Sequence, residues 1–384
     1  MSGSSKKGFL LPPAVGYSLS VISGLLLKSR VSLVFIPRFI LTLLINLVNW
    51  PFRVYERIFI NPKFLKSTID EKPGEDPIFI IGHWRSGTTH LHNILCKDPQ
   101  MGYTTTYQSV FPDTLFVKMG RFIFEGFARI LIPGTRKGDN VTLGMTLPQE
   151  EEFALGDKTP VCFYYFWMFP RHIQTYYERS VRFKGLSVKT IESWRSDYRL
   201  LIKKALKNTG KSRFLSKNPP NTGRVKFLLE TYPNARFIHI HRNPVEVFLS
   251  TQNFFRKMMP HLQLQTVKDA DLGNDIFIIY KQIMKDYLAQ RSLIPEGQLV
   301  EISYDELESQ PEEGLERIYK TLQIQGYNEA LPLFRSYLKR MKSYKKNRHY
   351  ITKELQEKIM KEWGFAMKEW NYLQPENIEI RHEK

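Results

Sequence analysis

Apolar and polar residues follow two rhythms along this chain. Pro77 to Ile81 is a continuous apolar run that stops at Gly82. A polar turn follows, and Leu91, Ile94 and Leu95 then resume at helical spacing, which reads as strand, loop and helix. Downstream, Arg213 to Ser216 reads as a short strand stopped by Pro219-Pro220, and Arg224 to Tyr232 as a helix. Arg236 to His241 alternates like a strand, and Pro244 is placed to open a helix through Phe248 and Ser250. Thr190 to Asn208 is a helix closed near Gly210, Asp275 to Arg291 is amphipathic, Gln298 to Ile302 is a last strand, and Glu312 to Leu322 another helix. Thr104 to Thr106 suggests a further extended segment. Residues 111–147 carry no clear period, broken at Pro112, Pro133-Gly134 and Gly138-Asp139-Asn140, and are expected to form helices and loops that cover a site. Strands alternating with helices predict an α/β fold, a mostly parallel sheet flanked by helices with right-handed crossovers.

The N-terminal region has a different pattern. Phe39 to Pro51 is the most apolar run in the chain, about 13 residues and thus shorter than the roughly 20 needed to cross a bilayer. Thr42, Asn46, Asn49 and Arg53 recur every three or four positions, a single polar stripe on an otherwise apolar helix, read here as its wet side. Two placements follow: a helix packed on the domain, or an amphipathic helix lying on an anionic membrane through residues 28–57, assisted by Lys28, Arg30, Arg38, Arg53 and Arg57. The run lies too deep in the chain, and lacks the small-residue cleavage site, for a secretory signal. Ser67 to Pro77 reads as a linker. The expected organisation is a helical extension over 1–75, an α/β domain over 76–350 and a helical tail packed on it over 351–384.

Charge and composition narrow the classes. The chain of 384 residues carries a net charge of +18, which suits anionic ligands or anionic surfaces. The basic residues are scattered and form no nucleic-acid module, so nucleic acid is not an expected partner. Cys96 and Cys162 lie apart without C-x-x-C or Cys/His spacing, which argues against a disulfide framework or a zinc site and fits a cytoplasmic location. The aromatic run Phe163, Tyr164, Tyr165, Phe166, Trp167 and Phe169 is read as core, with an apolar substrate pocket as the other option.

The chemistry centres on the loop after the first strand. Gly82 and Gly87 have the spacing of a phosphate-cradling loop, but Thr88 stands where a nucleoside-triphosphate loop has lysine, and the cation is Arg85, inside the loop. Backbone N–H groups up to Thr89 and the positive end of the following helix make an anion nest. Thr88 and Thr89 add hydroxyl donors. Arg242, just past a strand, and Ser250, about two turns into the next helix, are placed to bind a second phosphate.

Together these residues carry a resemblance. Arg85-Ser86-Gly87-Thr88-Thr89 after a strand is similar to the 5′-phosphosulfate loop of the PAPS-dependent sulfotransferases, in the bacterial-type branch with arginine in the loop. Phe237 to Pro244 with Ser250 resembles their 3′-phosphate motif. Leu215-Ser216-Lys217-Asn218-Pro219 resembles the family's Lys-Ser-Pro strand end, and Ile302 to Leu307, with Tyr304, the segment near the adenine. The resemblance implies a P-loop-like fold and in-line, metal-free transfer of a sulfuryl group from PAPS, leaving adenosine 3′,5′-bisphosphate. Arg85, Ser86, Gly87, Thr88, Thr89, His90, Arg242, Ser250, Tyr304 and Arg348 are then the donor-binding set. Arg348 belongs to a late basic patch that lacks the family's glycine-lysine signature. Arg85 and Lys217 become the candidates for stabilising the transition state.

The acceptor must lose a proton, so a base is required. Glu150 and Glu152, from the Glu150-Glu151-Glu152 run at a helix start, are the candidates, against a water-facing helix end; His83, His90 and His92 are rivals. His239 and His241, in a strand, are read as structural. The acceptor is expected to be a lipophilic alcohol such as a sterol or lipid, or a glycan. Two other readings compete: a P-loop nucleotide kinase, disfavoured by the absent lysine, and a non-catalytic membrane-associated anion-binding protein. The expected location is the cytoplasm, at the inner face of a membrane.

Overall fold

The computed structural model describes residues 13–66, 75–131, 144–341, 350–375 and 378–381. Arg348 lies outside them. The chain forms two compact units, one of Met1–Gly74, Tyr103–Gly210 and Phe254–Lys268, the other of Glu75–Gly102, Lys211–Asn253 and Asp269–Lys384.

The second unit holds the sheet. Its strands are β1 (Glu75–Ile81), β2 (Met101–Gly102), β3 (Arg213–Lys217), β4 (Arg236–His241) and β5 (Leu299–Ser303). They pair in the order β2-β3-β1-β4-β5, and every pairing is parallel. A parallel sheet covered on both faces needs strands apolar on both faces. β1 meets that demand: Ile78, Phe79, Ile80 and Ile81 are all buried. On one face Ile78 and Ile80 pack with Leu91, Ile94 and Leu95 of the Thr88–Leu95 helix. On the other, Phe79 stacks on Phe237 with ring centroids 5.6 Å apart. The helix Lys353–Glu369 joins this core through Trp363, stacked on Tyr280 at 3.8 Å. Strand β1 is central, and its neighbours β3 and β4 lie on opposite sides of it, so the loop after β1 sits where the strand order reverses. Open α/β sheets bind ligands at that point, beyond the carboxyl ends of the strands.

The first unit is helical. Its longest apolar element starts earlier and ends later than the sequence run suggests. A 3₁₀ turn (Leu33–Phe35), the helix Ile36–Tyr55, a π-helical turn (Glu56–Ile60) and the helix Asn61–Lys66 follow one another without a break. Of this, Leu33–Phe64 is a 32-residue helix long and apolar enough to cross a membrane, so the estimate of about 13 residues was too short. The one acid in it, Glu56, is buried against Lys204 at 2.5 Å.

The stripe of Thr42, Asn46, Asn49 and Arg53 is also the reverse of the expectation: it is the buried side. Asp113 is the hub that accounts for this, accepting from Lys158 at 2.7 Å and Arg53 at 3.1 Å. Burial alone would raise the Asp113 carboxyl, but Lys158, Lys204 and Arg53 together hold it well below the usual carboxylate range.

One smaller difference has a local cause. Thr104 to Thr106 is extended only as far as Thr105, which is β-bridged to Pro148; its hydroxyl then accepts from Gln108 N–H at 3.2 Å and caps the helix Thr106–Val110. The unperiodic stretch contains the helix Lys118–Leu131, and residues 132–143 lie outside the described set. As expected, the aromatic run from Phe163 to Phe169 is buried core, with Trp167 packed on Phe255 at 4.9 Å.

Candidate active site

The phosphate-type loop spans Gly82 to Gly87 between β1 and the Thr88–Leu95 helix. Its two glycines are required by space as well as by conformation. A Cβ on Gly82 would lie 2.3 Å from the carbonyl oxygen of Ile240 on β4, and one on Gly87 would lie 2.4 Å from Cδ2 of Tyr304. Both have positive φ, +142° and +97°. Arg85 also has positive φ, 70°, unusual for a residue with a side chain. Its Nε donates to the Ser250 hydroxyl at 3.0 Å, which helps hold it there. The N–H of Gly82 donates to the Thr222 hydroxyl at 2.7 Å, fixing the start of the loop. Ser86 and Thr88 are buried in the loop, and Thr89 and His90 are half-buried on the first helical turn.

Parallel register brings the remaining predicted residues to the same edge. Ile80 of β1 is level with Lys217, the last residue of β3. Ile81 is level with His239 of β4, and His241 with Ser303 of β5. Lys217, Arg242 and Tyr304 therefore leave adjacent strand ends beside the loop. Arg242 is oriented twice. Its Nε donates to Glu246 at 2.8 Å, one helical turn ahead, and its guanidinium carbon lies 4.4 Å from the centre of the Tyr304 ring. Tyr304 thus stands between Gly87 and Arg242. Lys217 is buried, and its charge adds to burial in holding His92 well below the ordinary histidine value.

Sequence reading missed two supports of this site. Glu246 was visible in principle, as an acid four residues after Arg242. Thr222 was not, because nothing local ties it to Gly82, 140 residues earlier.

The histidine rivals for the base are poor proton acceptors. His83 is buried and pushed down to about 3 by desolvation, with Nδ1 donating to the Trp84 carbonyl at 2.8 Å. His90 and His92 are also lowered, mainly by burial. His239 is buried and stacks on Tyr287 at 4.0 Å, and the half-buried His241 stacks on Trp370 at 4.9 Å.

Glu150, Glu151 and Glu152 belong to the first unit. None faces water. Glu150 precedes the helix Glu151–Lys158 and accepts from the Tyr164 hydroxyl. Glu151 accepts from the Tyr198 hydroxyl at 2.8 Å, and Glu152 from the N–H of Phe163 at 2.8 Å.

Two strand-end cations and a glycine-framed loop whose arginine is bonded to a helix serine form a basic edge on a parallel sheet, the layout of a P-loop-like fold. The comparisons fix the class further. A sulfotransferase family model matches residues 77–329, and the chain belongs to that family. It is 27% identical over 364 residues to the omega-hydroxy-beta-dihydromenaquinone-9 sulfotransferase Stf3 of Mycobacterium bovis, covering 94% of this chain and 91% of that protein. The Mycobacterium tuberculosis Stf3 matches to the same extent. Among solved structures, the sulfotransferase STF9 of Mycobacterium avium superposes with a TM-score of 0.64 at 16% identity, covering 86% of this chain and 83% of that one. STF1 of Mycobacterium tuberculosis gives 0.59 at 17%, covering 83% and 84%. These two likenesses concern the fold.

The paired fixing of Arg242 has an expected consequence. Arg242→Ala should weaken adenosine 3′,5′-bisphosphate binding by about 30- to 150-fold, the ~2–3 kcal/mol of a charge-assisted phosphate contact. Arg242→Lys should recover little, since it loses the guanidinium fork that bonds Glu246 and lies over Tyr304. Isothermal titration on the three proteins checks this.

Proposed function

We propose that this sulfotransferase takes its sulfuryl group from PAPS and passes it in line to a hydroxyl of a lipophilic alcohol. The observation that carries the donor is the hydrogen bond from Arg85 to Ser250. It joins the loop suited to a 5′-phosphosulfate to the motif suited to a 3′-phosphate. A donor with two anionic groups on one ribose matches that pairing, with Arg85, Ser86, Gly87, Thr88, Thr89 and His90 assigned to the 5′ group and Arg242 with Ser250 to the 3′-phosphate. Tyr304, against both Gly87 and Arg242, is assigned to the base end of the nucleotide.

In this reading, Arg85 and Lys217 stabilise charge as the sulfur–oxygen bond to the leaving phosphate breaks. The acceptor oxygen forms the new bond and gives up its proton to a carboxylate, Glu150 or Glu152. The lipophilic acceptor is supported by the Stf3 relative, whose name specifies a hydroxylated menaquinone.

Thermal shift separates this reading from a kinase. Adenosine 3′,5′-bisphosphate at a hundredfold excess over Kd should stabilise the protein by about 2.7 kcal/mol, which ATP-Mg should not match. Preference for ATP-Mg would overturn the donor assignment. With ³⁵S-labelled PAPS and a total lipid extract, label is expected in the organic phase; label confined to glycans would overturn the acceptor.

A further inference from the structure

The long N-terminal helix is built inside out. Along it, Thr42, Asn46, Asn49, Arg53 and Glu56 are spaced at four, three, four and three residues, and all are buried, Thr42 and Glu56 completely. The opposite side carries Leu44, Leu47 and Ile58, each more than half exposed. Fifteen of the twenty-four exposed large apolar or aromatic side chains among the described residues lie between Leu19 and Phe59. The helix Lys118–Leu131, which meets this one where Gly120 faces Phe52, adds exposed Met119 and Phe122. A soluble surface scatters such residues singly; a continuous face of them marks a surface that is covered in use.

The buried stripe locks the orientation. The Thr42 hydroxyl donates to the Pro13 carbonyl at 2.9 Å, and Asn46 donates to Ala14 O at 2.8 Å while accepting from Gly16 N–H at 2.7 Å. Asn49 accepts from the Thr114 hydroxyl at 3.1 Å, and Arg53 donates to Gly16 O and Asp157 O, both at 2.6 Å. Turning the apolar face inward would take Arg53 from Asp113 and Glu56 from Lys204, breaking two buried ion pairs, and would set apolar side chains against the charges left behind. Nothing among the described residues covers the apolar face.

The charges around it choose the cover. Lys28, Arg30, Arg57, Lys63 and Lys118 are exposed, and the only acid between residues 13 and 66 is the buried Glu56. A second copy would set this cationic rim against itself, whereas an anionic bilayer complements both the apolar face and the rim. The bonds along the buried side fasten the helix lengthwise to its own unit, so it can offer the membrane one face but cannot cross it. We propose that residues 27–59 with Met119 and Phe122 form a monotopic docking surface for anionic lipid bilayers, the helix lying in the interface plane.

Flotation of the full-length protein with vesicles tests this. Wild type is expected to float with phosphatidylcholine–phosphatidylglycerol vesicles and to bind pure phosphatidylcholine at least tenfold less. Leu44→Glu/Leu47→Glu/Ile58→Glu should cut binding to the anionic vesicles at least tenfold while leaving the thermal unfolding midpoint in place, because these side chains touch little of the fold. Val188→Glu, at an exposed apolar position elsewhere, should bind as wild type does. Lys28→Glu/Arg57→Glu should lose only the preference for anionic lipid. Washing membranes at alkaline pH should release the protein. The proposal is overturned if wild type does not float, if the triple variant floats equally well, if alkaline washing leaves the protein in the membrane as a spanning helix would, or if sedimentation shows a dimer that the triple variant dissolves without change in vesicle binding. None of these outcomes depends on the identity of the donor or acceptor.

Discussion

Lys217→Met is expected to lower kcat by about 10²- to 10³-fold, the usual effect of removing one preorganised group from a site of developing charge. Lys217 is buried at the end of β3, level with the last residues of β1 before the loop. There a cation is desolvated and fixed before the reaction begins, so it costs no reorganisation when the leaving phosphate gains charge. Methionine keeps most of the length and apolar stem while removing the charge. Arg85→Ala should give a loss of similar size, because the same charge is shared between the two cations. If both act mainly on the transition state, the affinity for adenosine 3′,5′-bisphosphate should change by less than about tenfold while kcat and kcat/KM fall together. Stopped-assay kinetics with titration of the bisphosphate on each variant would measure this. A drop in bisphosphate affinity as large as the drop in turnover would show that Lys217 merely binds the donor. A second readout guards against a structural effect: without the Lys217 charge, the His92 titration followed by NMR should move upward, since that charge is one of the influences holding it down.

Much of this edge was legible in the sequence because its residues answer local demands. Gly82 and Gly87 mark positive φ, Pro244 opens a helix, and Arg242 with Ser250 keeps a fixed spacing across one turn signal. The supports came from far away. Gly82 is held by Thr222 and Gly87 is closed off by Tyr304, and no local pattern reports contacts across 140 or 217 residues. Thr104 to Thr106 was legible only in part: Thr105 is extended and bridged to Pro148, but its hydroxyl caps a helix that begins at Thr106, which the β-branched pattern does not report. The N-terminal helix misled in a more instructive way. Its periodicity gave the stripe correctly, but periodicity says only that two faces differ. The inference that polar means wet failed because Asp113, Lys158 and Lys204, supplied by distant segments, make the interior of that unit ionic.

The second large effect concerns the acceptor's proton. Whichever of Glu150 and Glu152 takes it, its change to glutamine is expected to lower kcat by about 10²- to 10³-fold, within the range of general base catalysis. Glutamine preserves shape and an acceptor oxygen for the Tyr164 hydroxyl at Glu150 or the Phe163 N–H at Glu152, so folding should survive. Glu151→Gln is the control, since Glu151 sits in the same buried cluster but is committed to Tyr198 on the helix Val188–Thr209. The decisive pattern has two parts. Donor binding should be untouched in the base variant, in contrast to Arg242→Ala. Its pH–rate profile should also lose the acidic limb, because that limb records the base picking up a proton as pH falls and glutamine cannot titrate there. A loss of activity with the acidic limb intact would mean that the carboxylate only positions its neighbours. Full activity in both variants would remove the carboxylates from the chemistry and return the role to His90, the half-buried histidine on the first turn after the loop. His90 is depressed by burial and raised back in part by the charge of Glu308, so His90→Asn would then carry the loss, with its limb at a pH below the ordinary histidine value.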